Sequence, residues 1–312
     1  MRSRPTVIPQ LNGYMTALPS PFRDGQLDEQ SFVRFCNWQI AQGITALVVA
    51  GTTGESPTLT PAEQVRLVRL AVETAHGRVP VIAGAGSNST RHAIELARLA
   101  EAAGADGLLS VVPYYNRPTQ DGLYEHFRAI HDAVGLPILL YDVPARCCCG
   151  LALDTIVRLA ALPRIVGLKD ATGDLSRPAR LRRLLGHGFR LYTGDDATAL
   201  GFFAQGGDGC ISVSANVAPR LCVQMHDAWR RGDTEEAEMA SELLIKLSCA
   251  LFAESNPGPV KYALKLMGFM TEEVRLPLCP PTETTRLDIA DALLRLGFVG
   301  TGHRRRSISA AA

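Results

Sequence analysis

Eight short runs rich in Val, Ile and Leu, each followed by an amphipathic stretch rich in Ala, Arg, Leu and Glu, predict an α/β fold: a (β/α)8 TIM barrel with a C-terminal helical extension. Two further observations favour the barrel over a doubly wound sheet. The eight units run from about Thr16 to Pro219, close to the ~250 residues typical of that barrel. The first turn after a strand reads Pro19-Ser20-Pro21-Phe22, where a dinucleotide-binding sheet would carry G-x-G-x-x-G.

The expected strands are Tyr14–Leu18, Ala46–Gly51, Val79–Gly84, Gly107–Val112, Pro137–Tyr141, Ile165–Leu168, Arg190–Thr193 and Gly209–Ser214. They are apolar throughout, as strands covered on both faces should be. The expected helices between and after them are Asp28–Ala41, Pro61–Ala75, Thr90–Ala103, Gln120–Val134, Asp154–Ala161, Ser176–Leu185, Asp196–Gln205 and Pro219–Arg230, several opening on Ser, Thr, Asp or Pro. Beyond Arg230 the pattern becomes wholly helical, at Thr234–Phe252, Pro257–Leu266 and Thr285–Leu296. The expected organisation is a catalytic barrel over residues 1–230, a helical extension over 231–300, and a flexible tail over 301–312 containing Arg304-Arg305-Arg306.

The 312 residues are 46% hydrophobic and 20% charged with a formal charge of +1. That is the profile of a globular chain with a large core and no net field for nucleic acid or an anionic membrane. No apolar signal segment follows Arg2 and Arg4, and no C-x-x-C pair occurs among the eight cysteines, so a reduced cytoplasmic protein is expected. The seven histidines show no H-E-x-x-H and no zinc-ligand spacing with cysteine, and neither a metal nor a cofactor is expected.

In a barrel the chemistry belongs where strands end, so polar residues just after the apolar runs are the candidates. Gly51-Thr52-Thr53-Gly54-Glu55-Ser56 offers hydroxyls and backbone N–H groups to an anion but lacks the ending of a P-loop. Pro113-Tyr114-Tyr115-Asn116-Arg117-Pro118 brings paired aromatics that fit packing as well as catalysis. Tyr141-Asp142-Val143-Pro144-Ala145-Arg146 combines a strand-end phenol with an Arg able to clamp a carboxylate. Lys occurs at only four positions (169, 246, 261 and 265), and Lys169 ends an apolar run in a chain that otherwise uses Arg. A desolvated lysine amine can lose its proton and act as a nucleophile, which Arg cannot. The competing reading of Lys169 is an ion pair with Asp170, Asp174 or Asp195.

Taken together, G-T-T-G-E-S at 51–56, P-Y-Y-N-R-P at 113–118, Y-x-V-P-x-R at 141–146, G-L-K-D-A-T-G-D at 167–174, T-G-D-D at 193–196 and G-G-x-G-x-I-S-V at 206–213 resemble the dihydrodipicolinate synthase branch of the pyruvate-dependent class I aldolase and N-acetylneuraminate lyase superfamily. The resemblance covers nearly the whole chain. It implies a Schiff-base synthase of lysine and diaminopimelate biosynthesis, a lyase that condenses pyruvate with aspartate semialdehyde. The implied assembly is a homotetramer of two tight dimers.

By the same resemblance Lys169 forms the Schiff base, and Thr52, Tyr115 and Tyr141 relay protons, with Tyr115 reaching across the tight dimer interface. Thr52 and Thr53 hold the pyruvate carboxylate, Arg146 takes the carboxylate of the aldehyde, and the Ile211 carbonyl lies beside the reactive Lys. The alternatives are a sister lyase acting on a sugar acid, which normally lacks the Arg of Y-x-x-P-x-R, and a non-catalytic barrel that binds an oxo-acid.

The chain departs from the pattern at Asp142, where Asn is common, and at Cys147-Cys148-Cys149, which replaces Arg-Thr-Gly. Aldehyde specificity is therefore the part of the function to examine. Asn88, Ser56 and Tyr114 match the family's lysine-effector site, but Pro61 and Gln64 stand at its His positions and His92 at its carboxylate position. Lysine inhibition is expected to be weak.

Overall fold

The computed structural model describes residues 11–299. Eight parallel strands close into a barrel: β1 (Gly13–Ala17), β2 (Ala46–Val49), β3 (Val81–Gly84), β4 (Gly107–Val111), β5 (Ile138–Asp142), β6 (Ile165–Asp170), β7 (Arg190–Thr193) and β8 (Gly209–Ser212). Each strand pairs with its neighbour in sequence, and β8 returns to β1 through Gly13↔Gly209. Apart from a few half-buried positions the strand residues are buried, which is why the sequence shows continuous apolar runs rather than alternation. A Cβ at Gly84 would lie 2.1 Å from the Ala50 carbonyl oxygen, so only glycine lets β3 pass the end of β2 here.

The helical layer is α1 (Glu29–Ala41), α2 (Pro61–Ala75), α3 (Thr90–Ala103), α4 (Gln120–Ala133), the single turn α5 (Pro144–Cys147), α6 (Leu153–Ala160), α7 (Ser176–Leu185), α8 (Ala199–Ala204) and α9 (Pro219–Arg231). Their starts follow the sequence signals: Asp28, Ser89 and Thr119 accept backbone N–H bonds at α1, α3 and α4. Thr60 and Glu63 form a reciprocal capping box at α2. The chain continues as α10 (Thr234–Leu251), α11 (Gly258–Leu266) and α12 (Glu283–Arg295), with α10 packed on α9 and α12. The Arg-rich stretch 301–312 lies outside the described residues.

Two local expectations are corrected. Strand β6 runs two residues further than its apolar run, so Lys169 is part of the strand rather than the first residue after it. Helix α8 starts at Ala199 and not at Asp196, because the Asp196 carboxylate is bound to the end of β8 instead of capping a helix. A two-stranded ladder pairing Phe22 with Leu27 also appears between β1 and α1, in a stretch without a strand signal in the sequence.

No helix among the described residues is long and apolar enough to cross a membrane. All eight cysteines are free thiols. No group of three or more His, Cys, Asp and Glu among the described residues could hold a metal ion.

Candidate active site

The barrel register places Tyr141 beside Lys169 and Lys169 beside Tyr192, so the three side chains share one face of β5, β6 and β7. Lys169 is buried, with Nζ 4.4 Å from the centre of the Tyr141 ring. The carboxylates offered as ion-pair partners are engaged elsewhere. Asp170 binds Arg177 and Thr172, Asp174 binds the Ser176 backbone and hydroxyl, and Asp195 accepts from the Ala197 N–H. Among the described residues no carboxylate pairs with Lys169, which leaves a buried amine next to a phenol. Gly194 makes room for it: a Cβ there would lie 2.7 Å from Lys169 Cε.

A cleft of about 340 Å³ is lined in part by Thr52, Tyr114, Tyr141, Arg146 and Cys147; of the wall, Tyr141 lines it, and Lys169 lies buried beside the Tyr141 ring. Thr52, Tyr141 and Arg146 are thus brought together. Arg146 is exposed on α5 and makes no ion pair among the described residues. Thr53 sits behind the cleft, buried, and its Oγ1 accepts a hydrogen bond of 2.9 Å from Asn256 Nδ2. That acceptor role leaves the Thr53 O–H proton free to donate.

Two expected residues stand apart from the cleft. Tyr115 is 87% exposed and held at φ +74°, a backbone conformation unusual for a bulky residue, so its ring projects away from its own barrel. Ile211 is fully buried on β8. The end of that strand is fixed by Asp196, which accepts from the Ser212 hydroxyl and from the Val213 and Ser214 N–H groups at 2.8 and 3.1 Å. Burial pushes the Asp196 carboxyl above its ordinary value, and these bonds, with the Lys169 charge, oppose that rise.

Several supporting residues were not found from the sequence. Glu55, at φ +56°, forms a fully buried pair with Lys261 at 2.5 Å and accepts the Arg275 N–H at 2.9 Å. Lys261 also donates to the Glu273 carbonyl at 2.6 Å and lies over the Phe22 ring. Burial pulls the Lys261 ammonium down to about 8 against the opposing attraction of Glu55. Two pairs, Glu55–Lys261 and Thr53–Asn256, therefore fasten the loop at 51–56 to the C-terminal segment. Their only sequence signal was the low number of lysines, which drew attention to position 261 without naming a partner.

A closed parallel barrel with a buried strand-end Lys, a Tyr beside it and an Arg lining the same cleft as that Tyr defines a barrel enzyme of the aldolase type, in the lyase class. The comparisons give the particular family. Residues 10–295 match the model of the dihydrodipicolinate synthetase family. The 4-hydroxy-tetrahydrodipicolinate synthase of Rhodospirillum centenum is 55% identical over 92% of this chain and 99% of its own length. That of Methylobacterium radiotolerans is 52% identical over 93% and 97%.

Among solved structures, the dihydrodipicolinate synthase of Thermotoga maritima superposes with a TM-score of 0.91 at 40% identity, covering 93% of this chain and all of that one. The chloride-inhibited enzyme of Acinetobacter baumannii, solved in complex with pyruvate, gives 0.90 at 43% identity, with 93% and 100% covered. The chain belongs to the dihydrodipicolinate synthetase family.

Proposed function

We propose that this enzyme condenses pyruvate with L-aspartate 4-semialdehyde to give 4-hydroxy-tetrahydrodipicolinate, a step of lysine and diaminopimelate biosynthesis in the cytoplasm. The observation that carries the reading is a buried Lys169 amine, with no carboxylate partner among the described residues, beside Tyr141, which lines the same cleft as Arg146. The names of relatives about half identical to it over nearly their full length support the same reaction.

In this reading the Lys169 amine attacks the pyruvate carbonyl carbon, and loss of water gives an imine. Loss of a methyl proton converts the imine to an enamine, whose carbon attacks the aldehyde carbon. The amino group of the aldehyde substrate then displaces Lys169 as the ring closes. Thr52, Tyr141 and a Tyr115 supplied by a second copy carry the protons. The Thr53 hydroxyl and the neighbouring loop hold the pyruvate carboxylate, Arg146 holds that of the aldehyde, and the Ile211 carbonyl bounds the space around the amine.

Exposure of Tyr115 at a positive φ supports a tight dimer in which that ring enters the neighbouring site, and the assembly we propose is a homotetramer of two such dimers. We read residues 1–230 as the catalytic barrel and 231–300 as an extension that braces it.

A coupled assay with pyruvate and aspartate semialdehyde tests the function. Product formation at a rate saturable in both substrates is expected. Cleavage of a sugar acid without that condensation would overturn the proposal in favour of a sister lyase, and absence of any turnover would favour an oxo-acid-binding barrel.

A further inference from the structure

The segment that carries Arg146 leaves β5 at Asp142 and ends at Leu151, and both ends meet one buried side-chain pair. Asp142 and Asp170 are register partners at the ends of β5 and β6. They lie on the face opposite Lys169 and Tyr141, pointing toward α7. Arg177 of α7 bridges them, at 2.7 Å to Asp142 Oδ2 and 3.1 Å to Asp170 Oδ2, and all three side chains are buried.

The same guanidinium donates to the Leu151 carbonyl at 2.6 Å, while Asp142 Oδ2 accepts the Leu151 N–H at 3.1 Å. Both backbone polar groups of Leu151 are thus held by the pair. Asp142 Oδ1 has no hydrogen-bond partner among the described residues, and a Cβ at Gly150 would lie 3.2 Å from it, so the returning chain packs directly on this oxygen. Between the two ends the only helix is the single turn α5, followed by Cys148 at φ +56°. A second pin joins the segment to its neighbour: Cys149 Sγ contacts the Pro113 carbonyl at 3.0 Å, immediately before Tyr114 and Tyr115.

We infer that Arg177 is a positioning residue for the aldehyde substrate, acting through Asp142 and Leu151 to set where the Arg146 guanidinium stands in the cleft. The inference rests on the reading that Arg146 binds the aldehyde carboxylate. A four-residue turn has too few internal bonds to fix a long side chain, so the position of Arg146 is inherited from its anchored ends. A planar fork is needed for the three simultaneous contacts, and a lysine cannot supply it.

The test is a comparison of Arg177→Lys with the parent enzyme. The KM for aspartate semialdehyde should rise about tenfold, with kcat per active site, the KM for pyruvate and borohydride trapping of pyruvate on Lys169 all within about twofold. A purely structural role would instead lower the folded fraction and leave both KM values unchanged, and that result would overturn the inference. If Arg177→Lys does not fold, the triple variant Arg177→Met with Asp142→Asn and Asp170→Asn removes the cation and both of its carboxylates together, which is tolerated better than leaving one buried charge alone. The same selective rise in aldehyde KM is expected of it, and an unchanged KM refutes the inference. Arg146→Ala serves as the control: unchanged aldehyde kinetics there would reject the reading of Arg146 itself, whereas a raised KM in Arg146→Ala but not in the Arg177 variants would reject the positioning role alone.

Discussion

The wall formed by β5 and β6 and the segment 143–151 that leaves β5 adjoin each other in the chain, yet they hold their side chains by different means. Tyr141 and Lys169 are fixed by strand register and by surrounding bulk, down to the missing Cβ at Gly194. Arg146 projects from one helical turn in a segment whose two ends are tied by a buried ion pair and whose returning chain is tied by the Cys149 thiol. Sheet geometry is repeated in every barrel strand and tolerates little change, whereas a tethered loop can be retuned one tether at a time. In the proposed reaction, the half of the site assigned to the covalent bond is thus the stiffer, and the half assigned to the second substrate is the more adjustable.

Replacing the amine should have the largest effect. Lys169→Ala is expected to lose activity by more than about 10³-fold and to abolish borohydride trapping of pyruvate, as removal of a covalent nucleophile does. In the parent enzyme the pyruvate-derived mass should appear on the peptide containing Lys169, and an adduct on Lys246, Lys261 or Lys265 would break the comparison. On the loop side, Arg146→Ala should lower kcat/KM for the aldehyde by one to two powers of ten, matching about 1.5–3 kcal/mol for a charge-assisted hydrogen bond, while trapping persists. Steady-state kinetics with each substrate varied in turn separate the two outcomes.

Gly194→Ala probes the stiffness of the wall without removing a functional group. Its Cβ would lie 2.7 Å from Lys169 Cε and 3.0 Å from Ala171 Cβ, an overpacking expected to cost about 1–3 kcal/mol. The variant should trap pyruvate more slowly, and an unaltered trapping rate would mean that the wall yields more easily than argued.

A smaller signature comes from the base of the loop. Burial raises the Asp142 carboxyl above its ordinary value although Arg177 opposes the rise. The folded state therefore keeps a proton that the unfolded chain has released, and stability falls as pH rises from the ordinary carboxylate value through the raised one. Asp142→Asn removes this titration, so its stability relative to the parent, read from urea midpoints at pH 4 and pH 7, should improve at the higher pH. A constant difference between the two proteins would count against it.

The least effect is expected from free lysine. Ser56, Tyr114, Pro61, Gln64 and His92 do line the same cleft as Thr52 and Arg146. His92, however, offers no negative charge to an ammonium, and its Nδ1 is 3.4 Å from Glu95 Oε2. Saturable inhibition at sub-millimolar lysine in the coupled assay would show that other residues build that site.

The sequence made the barrel legible because strand burial on both faces leaves continuous apolar runs, and it made Lys169, Tyr141 and Arg146 legible because they follow or end such runs. It did not reveal what holds them. Glu55 and Lys261 are 206 residues apart, and Thr53 and Asn256 are 203 apart. Nothing local marks such pairs, and Arg177 looks like any other arginine in an arginine-rich helix. The single turn Pro144–Cys147 escaped notice because four residues carry no periodicity. An Asp before an apolar stretch signals a helix cap, but at Asp196 a distant strand end claims the carboxylate, and nothing local in the sequence marks that.

The two pairs that fasten the loop at 51–56 also impose an order on the making of this enzyme. The barrel cannot close until β8 has been synthesised, and the loop gains its partners only with Asn256, Lys261 and Arg275. The ribosome thus releases the residues of this loop early and the ones that brace them some two hundred residues later. A growing chain stalled between those points would expose an unbraced loop with a buried-type glutamate, Glu55, still in water, and would have no assembled site to offer a substrate.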